Sequence, residues 1–143
     1  MISTAYPCLI LDLKAILMIV PSAAPPSPPS EAFIFVVDGS LLETQSMMLA
    51  ASLWRAHRDM PQAKTYAYVS PRSQAMPDLV RAVYEAAGVE VRALPGAGTH
   101  WAKAYPHGNK ILAAVEPRDS DYSAFIDSDV LFLRPNRVEA LIS

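Results

Sequence analysis

From residue 31 onward the chain alternates between short apolar runs and helical apolar stripes. "FIFVV" (Phe33–Val37) is a continuous apolar run closed by "DGS", the pattern of a strand covered on both faces. "ETQSMMLAASLWRAH" (Glu43–His57) follows, with Met47, Ala50, Ala51 and Trp54 at helical spacing. "KTYAYV" (Lys64–Val69) is rich in aromatic and β-branched residues and stops at the turn signal "SPRS". "PDLVRAVYEAAG" predicts a helix with proline at its start, Asp78 in its first turn and Gly88 as its stop. "VEVRAL" (Val89–Leu94) alternates strictly, as an edge strand or one with a wet face does. A loop with two glycines leads to a short helix, "NKILAAVEP", and then to the strand "YSAFI". Strand and helix alternate through four strands, which predicts an α/β layer structure with a mostly parallel sheet and helices on both faces.

The first 30 residues stand apart. "CLILDLKAILMIV" (Cys8–Val20) is apolar, but at 13 residues with Asp12 and Lys14 inside it falls short of the ~20 needed for a membrane span. No Lys or Arg precedes it, as a signal peptide would require, and only "PSAA" suggests cleavage. "PSAAPPSPPS" is half proline and reads as an extended linker. Residues 1–30 are expected to be a disordered leader or a misassigned translation start, with a degenerate signal or anchor second. Residues 31–143 form the folded part. The corresponding location is cytoplasmic or peripheral to a membrane, or a secretory lumen if the leader is a signal.

Composition narrows the function classes. Of 143 residues, 52% are hydrophobic and 18% charged, enough for one domain with a real core. A formal net charge of -2 and the lack of any Lys/Arg run argue against a nucleic-acid partner. The single cysteine, Cys8, has no intramolecular disulfide partner.

Parallel α/β sheets bind ligands beyond the carboxyl ends of their strands. Two places qualify, Asp38-Gly39-Ser40 after the first strand and Asp127-Ser128-Asp129 after the fourth. Residues i and i+2 of an extended segment point to one side, so Asp127 and Asp129 can converge. Buried together they would repel, and one would protonate unless a divalent cation joined them. Mg²⁺ or Mn²⁺ is commonly held by one or two carboxylates completed by substrate phosphates. The competing reading is a pair of acids ending a strand in a turn.

Residues 33–135 resemble the first half of a nucleotide-diphospho-sugar transferase of the GT-A type. The resemblance rests on "FIFVVDG" as first strand, on "GNKILAAVEPRDSDYSAFIDSDVLFLRP" as the approach to the acidic motif, and on the order of elements between. It implies a three-layer Rossmann-like sheet truncated after the fourth strand, and a glycosyltransferase that takes a sugar from a nucleoside-diphosphate sugar donor to an unidentified sugar, lipid or protein acceptor. It further implies a bound metal, Mn²⁺ or Mg²⁺, with Asp129 its more direct ligand and Asp127 touching metal, ribose or both. Val37, Asp38 and Gly39 would lie beside the base and ribose. Lys110 reads either as a second positive charge on the diphosphate or as an exposed surface lysine, and Asn109 either as a nucleotide contact or as a helix cap.

The acceptor half and any catalytic base of such an enzyme are expected beyond Ser143. A non-catalytic nucleotide-binding fragment is the alternative. A haloacid-dehalogenase-type phosphatase fits less well, because its Asp-x-Asp opens the chain and is not followed by Val-Leu. The remaining residues are read blandly: Arg118 and Arg134 as surface or structural, His57 as solvated, Met47, Met48 and Trp54 as core. His100 and His107 flank "WAKAYP" without zinc-ligand spacing.

Overall fold

The computed structural model describes residues 30–59, 63–96 and 106–135. Cys8 and the leader to residue 29, His100, most of "PGAGTH" and "WAKAYP", and the segment after Pro135 lie outside the described residues.

The sequence pattern is realised as β1 (Glu31–Val37), α1 (Ser40–His57), β2 (Ala63–Val69), α2 (Asp78–Ala86), β3 (Val89–Ala93), α3 (Asn109–Val115) and β4 (Tyr122–Phe125). The four strands are all parallel and lie in the order β3-β2-β1-β4. β1 is therefore central, and all seven of its residues are buried. Its odd positions, Phe33, Phe35 and Val37, face Leu49, Ala50 and Leu53 of α1 and Val80 and Tyr84 of α2. Its even positions, Ala32, Ile34 and Val36, join Tyr66 and Tyr68 of β2 and Ala113 of α3 on the other face. This is a three-layer α/β arrangement of Rossmann-like kind. The strictly alternating β3 is an edge strand.

Local signals match their elements. Pro77 precedes α2, Asp78 sits in its first turn, and Gly88 takes the left-handed conformation (φ 66°) that ends it. α3 stops at Val115, because Glu116 turns extended ahead of Pro117. Arg118 has a structural role: its guanidinium donates to the carbonyls of Ala113 and Ala114 and to the Tyr68 hydroxyl. It thus satisfies the end of α3 and ties it to β2.

Three expectations on α1 fail for one reason. The helix begins at Ser40, and its buried stripe is Glu43, Ser46, Leu49, Ala50, Leu53 and His57. Trp54 and Met48 are consequently about half exposed, and only Met47 packs against the core. His57 is buried: its ring lies 4.7 Å from Phe33 and 5.4 Å from Phe132, and its Nδ1–H donates to the Leu53 carbonyl at 3.1 Å. Ser46 and His57 are accommodated in this stripe because each finds a partner. The Ser46 hydroxyl meets the Tyr84 hydroxyl at 2.5 Å while also donating to the Glu43 carbonyl.

The burial of Tyr84 has a measurable consequence. Burial, partly offset by the Ser46 bond and reinforced by the nearby Glu43 carboxylate, pushes the Tyr84 phenol from 10.0 up to about 12. A raised folded-state pKa means the contribution is complete below pH 10 and is lost as pH climbs toward 12. The loss is on the order of 2 kcal/mol. Tyr84→Phe is expected to cost about 1 kcal/mol at neutral pH, where it removes a hydrogen bond. It should also flatten the alkaline fall in stability, as urea denaturation of both proteins from pH 7 to 11.5 will show.

Candidate functional site

The strand order reverses direction at β1: β2 and β3 extend to one side of it and β4 lies on the other. A crevice opens at such a switch point because the connections leave β1 and its neighbour toward opposite faces. The two acidic segments singled out in the sequence, 89 residues apart from Asp38 to Asp127, end adjacent strands and share one cleft of about 400 Å³.

Asp38 is the fixed centre of that cleft. Its Oδ1 accepts from the Ser70 hydroxyl at 2.6 Å, and its Oδ2 accepts from the Asn109 amide at 3.2 Å and faces the Arg72 guanidinium at 3.6 Å. The carboxylate is thus held by two residues of the turn after β2 and by one of α3 at once. Asn109 does not cap its helix; the residue before it, Gly108, occupies that position without a side-chain bond. The carboxylate accepts only, so the amide nitrogen must point to Asp38. That leaves the Asn109 Oδ1 buried and unpaired among the described residues.

Val37 and Gly39 sit on either side of Asp38 in different roles. The Val37 side chain is fully buried in the core beneath α1, and it is Val36 that lines the cleft. Gly39 takes φ 99°, a conformation other residues rarely adopt, and its N–H donates to the Ser73 hydroxyl at 2.8 Å. This bond joins the end of β1 to the short 3₁₀ turn Pro71–Ser73.

The acidic motif leaves β4 as a turn. Ile126 still donates to the Ile34 carbonyl at 2.8 Å, and Val130 N–H closes the turn onto the Asp127 carbonyl at 3.1 Å. Between the acids, Ser128 is buried, and its hydroxyl donates to the Val36 carbonyl at 2.9 Å. This fastens the motif to β1 and leaves Asp127 and Asp129 at the cleft wall. Asp127 is ion-paired with Lys110 from the first turn of α3, whose ammonium also lies 5.4 Å from the Phe125 ring centre. Asp129 makes no hydrogen bond or ion pair with any described residue. His107 also lines the cleft, whereas Arg134 is exposed away from it.

Arg72 is a charged cleft residue that the sequence did not single out. It lies in a polar turn after β2, and only the pairing of β2 with β1 brings it to Asp38. Its one sequence signal is position, a cation just past the carboxyl end of a parallel strand.

The cleft therefore holds three carboxylates, with a cation beside two of them. Arg72 faces Asp38 and Lys110 faces Asp127, which leaves Asp129 as the carboxylate without a counter-charge among the described residues. Residues 33–143 match a family model described as the Rhodobacterales glycosyltransferase domain. No curated protein matches the chain.

Proposed function

The chain belongs to the Rhodobacterales glycosyltransferase domain family, and from that premise we propose that its β1/β4 cleft binds a nucleoside-diphosphate sugar through a divalent cation at Asp127 and Asp129. The observation that carries this reading is Asp129, an acid at the cleft wall with no counter-charge among the described residues, beside a second acid whose partner is a flexible lysine. Among the described residues no three His, Cys, Asp or Glu side chains group as a protein-only metal site. A two-carboxylate site fits Mn²⁺ or Mg²⁺, which draw their remaining ligands from phosphate and water, and fits zinc poorly.

Glycosyl transfer breaks the bond from the anomeric carbon to the diphosphate, with both electrons going to the phosphate oxygen. An acceptor hydroxyl oxygen bonds the carbon and gives its proton to a base. The charge that grows on the leaving diphosphate is what a cleft must stabilise, more in the transition state than before it. A divalent cation held at Asp127 and Asp129 supplies that stabilisation when bound. Lys110 is near enough to exchange its carboxylate partner for a phosphate oxygen. Asp38, held from three sides, positions rather than reacts, and Ser128 keeps the two acids at the wall. Val36 and Leu42 provide an apolar surface for the nucleoside.

Calorimetric titration of the full chain with UDP and with GDP, each with and without Mn²⁺, tests this reading. Binding is expected only with metal. Asp129→Ala is expected to remove that dependence without lowering the melting temperature, since the side chain bonds to no described residue. Unchanged Mn²⁺-dependent affinity in the variant would sink the assignment of Asp129. Binding without turnover of any sugar donor would favour a nucleotide-binding fragment. The family match weighs against the phosphatase reading.

A further inference from the structure

We propose that Ser52, a residue of α1 outside the cleft lining, is the positioning residue for Asp129 and, through it, for the divalent cation. The inference rests on the nucleotide reading above and adds to it a residue that acts through another.

The Asp129 side chain makes no hydrogen bond or ion pair with a described residue, so its place depends on the main chain that carries it. That stretch of chain is fastened at two points. Upstream, the Ser128 hydroxyl donates to the Val36 carbonyl at 2.9 Å, and the turn closes as Val130 N–H donates to the Asp127 carbonyl at 3.1 Å. Downstream, Phe132 N–H donates to the Ser52 hydroxyl at 3.0 Å, across 80 residues of sequence. The Phe132 ring is seated as well, edge-on to Phe33 at 5.9 Å and to His57 at 5.4 Å. A short span held at both ends has far fewer conformations than one held at one end. The carboxylate is thereby set before a cation arrives, and binding is spared the cost of ordering it.

The downstream fastening belongs to α1, and α1 also builds the cleft. Leu42 and Gln45, near its start, line the cleft, so one helix carries part of the lining and holds the chain that leaves the acidic motif. The Ser52 hydroxyl donates to the Leu49 carbonyl at 2.8 Å, which uses its hydrogen and leaves its lone pairs for Phe132. Ser46, earlier on the same helix, makes the same local bond, donating to the Glu43 carbonyl at 3.0 Å. The two serines differ in their distant partners. Ser46 ties α1 to Tyr84 of α2, whereas Ser52 ties it to the segment that follows Asp129. One serves packing alone, and the other also sets a cleft acid.

Titration of the full chain with UDP and with GDP in Mn²⁺ tests this in wild type, Ser52→Ala and Ser46→Ala, at low temperature where all three are folded. Each variant loses one tertiary hydrogen bond, so both are expected to melt below wild type. Only Ser52→Ala should weaken the metal-dependent binding, by about fivefold. The electron paramagnetic resonance of Mn²⁺ in the nucleotide complex should change line shape in Ser52→Ala and keep the wild-type shape in Ser46→Ala. Equal weakening in both variants would trace the effect to the stability of α1 and overturn the inference. A loss in Ser52→Ala with the wild-type line shape would assign it to the nucleoside and not to the cation, which overturns it too, as does wild-type affinity in that variant. Absence of any metal-dependent nucleotide binding by wild type would overturn the nucleotide reading and this inference together.

Discussion

Asp38→Ala is expected to destabilise the domain by about 3 kcal/mol and to abolish the proposed nucleotide binding. The carboxylate accepts from Ser70 and Asn109, both buried, and its removal strands two donors at once. Each unsatisfied buried donor costs about 1–3 kcal/mol. Asn109 suffers most, because its Oδ1 already lacks a partner among the described residues and the whole amide would then be orphaned. Loss of the Arg72 contact adds little, since that side chain is largely in solvent. The functional loss follows from position: Asp38 ties the turn after β2 and α3 to the end of β1. Without it Arg72 and Lys110 no longer hold their spacing. Asp38→Asn keeps an oxygen for Ser70 and should cost about half as much in chemical denaturation. Wild-type stability in Asp38→Ala would refute the buried network.

The second large effect is Phe35→Ala, expected to cost about 4 kcal/mol. Phe35 is fully buried on the central strand and meets Tyr84 edge-to-face at 5.9 Å, so its removal leaves a cavity between β1 and α2. Domains of this size have only about 5–15 kcal/mol in all, and the variant should be largely unfolded at modest urea. The contrast with Asp38→Ala is informative. Phe35 points to the α1/α2 face, away from the cleft, so the folded fraction of Phe35→Ala should keep the proposed metal-dependent nucleotide binding. Calorimetry at low temperature on both variants separates the two. Wild-type urea resistance in Phe35→Ala would contradict the packing described here.

Much of the fold was legible because it depends on neighbours in sequence. The unbroken apolar run at β1 requires cover on both faces, and β1 is central. Strict alternation in 89–94 predicts a strand with one wet face or edge, and β3 lies at the edge. α1 was harder to read. "SMMLAASLW" is apolar nearly all round, so periodicity alone leaves the angle of its buried stripe undetermined. The choice fell to partners distant in the chain: Tyr84 admits Ser46, and Phe33 and Phe132 enclose His57. Trp54 was thereby turned outward despite being the most apolar-looking anchor.

The sequence by itself determined the α/β alternation and the two acidic strand ends, and marked Asp127 and Asp129 as candidates; the extended geometry expected for that pair is a turn in the structure. Only the tertiary structure decided that β4 pairs with β1, and so joined the two acidic ends in one cleft. It also decided that Lys110 neutralises Asp127, that Asn109 and Ser70 belong to Asp38, and that Arg72 belongs to the site at all. These contacts span 17 to 71 residues. Such pairings carry no periodic signature, because the backbone bonds of the sheet and the burial of its two faces set them, and the polar side chains take the partners that arrangement leaves within reach.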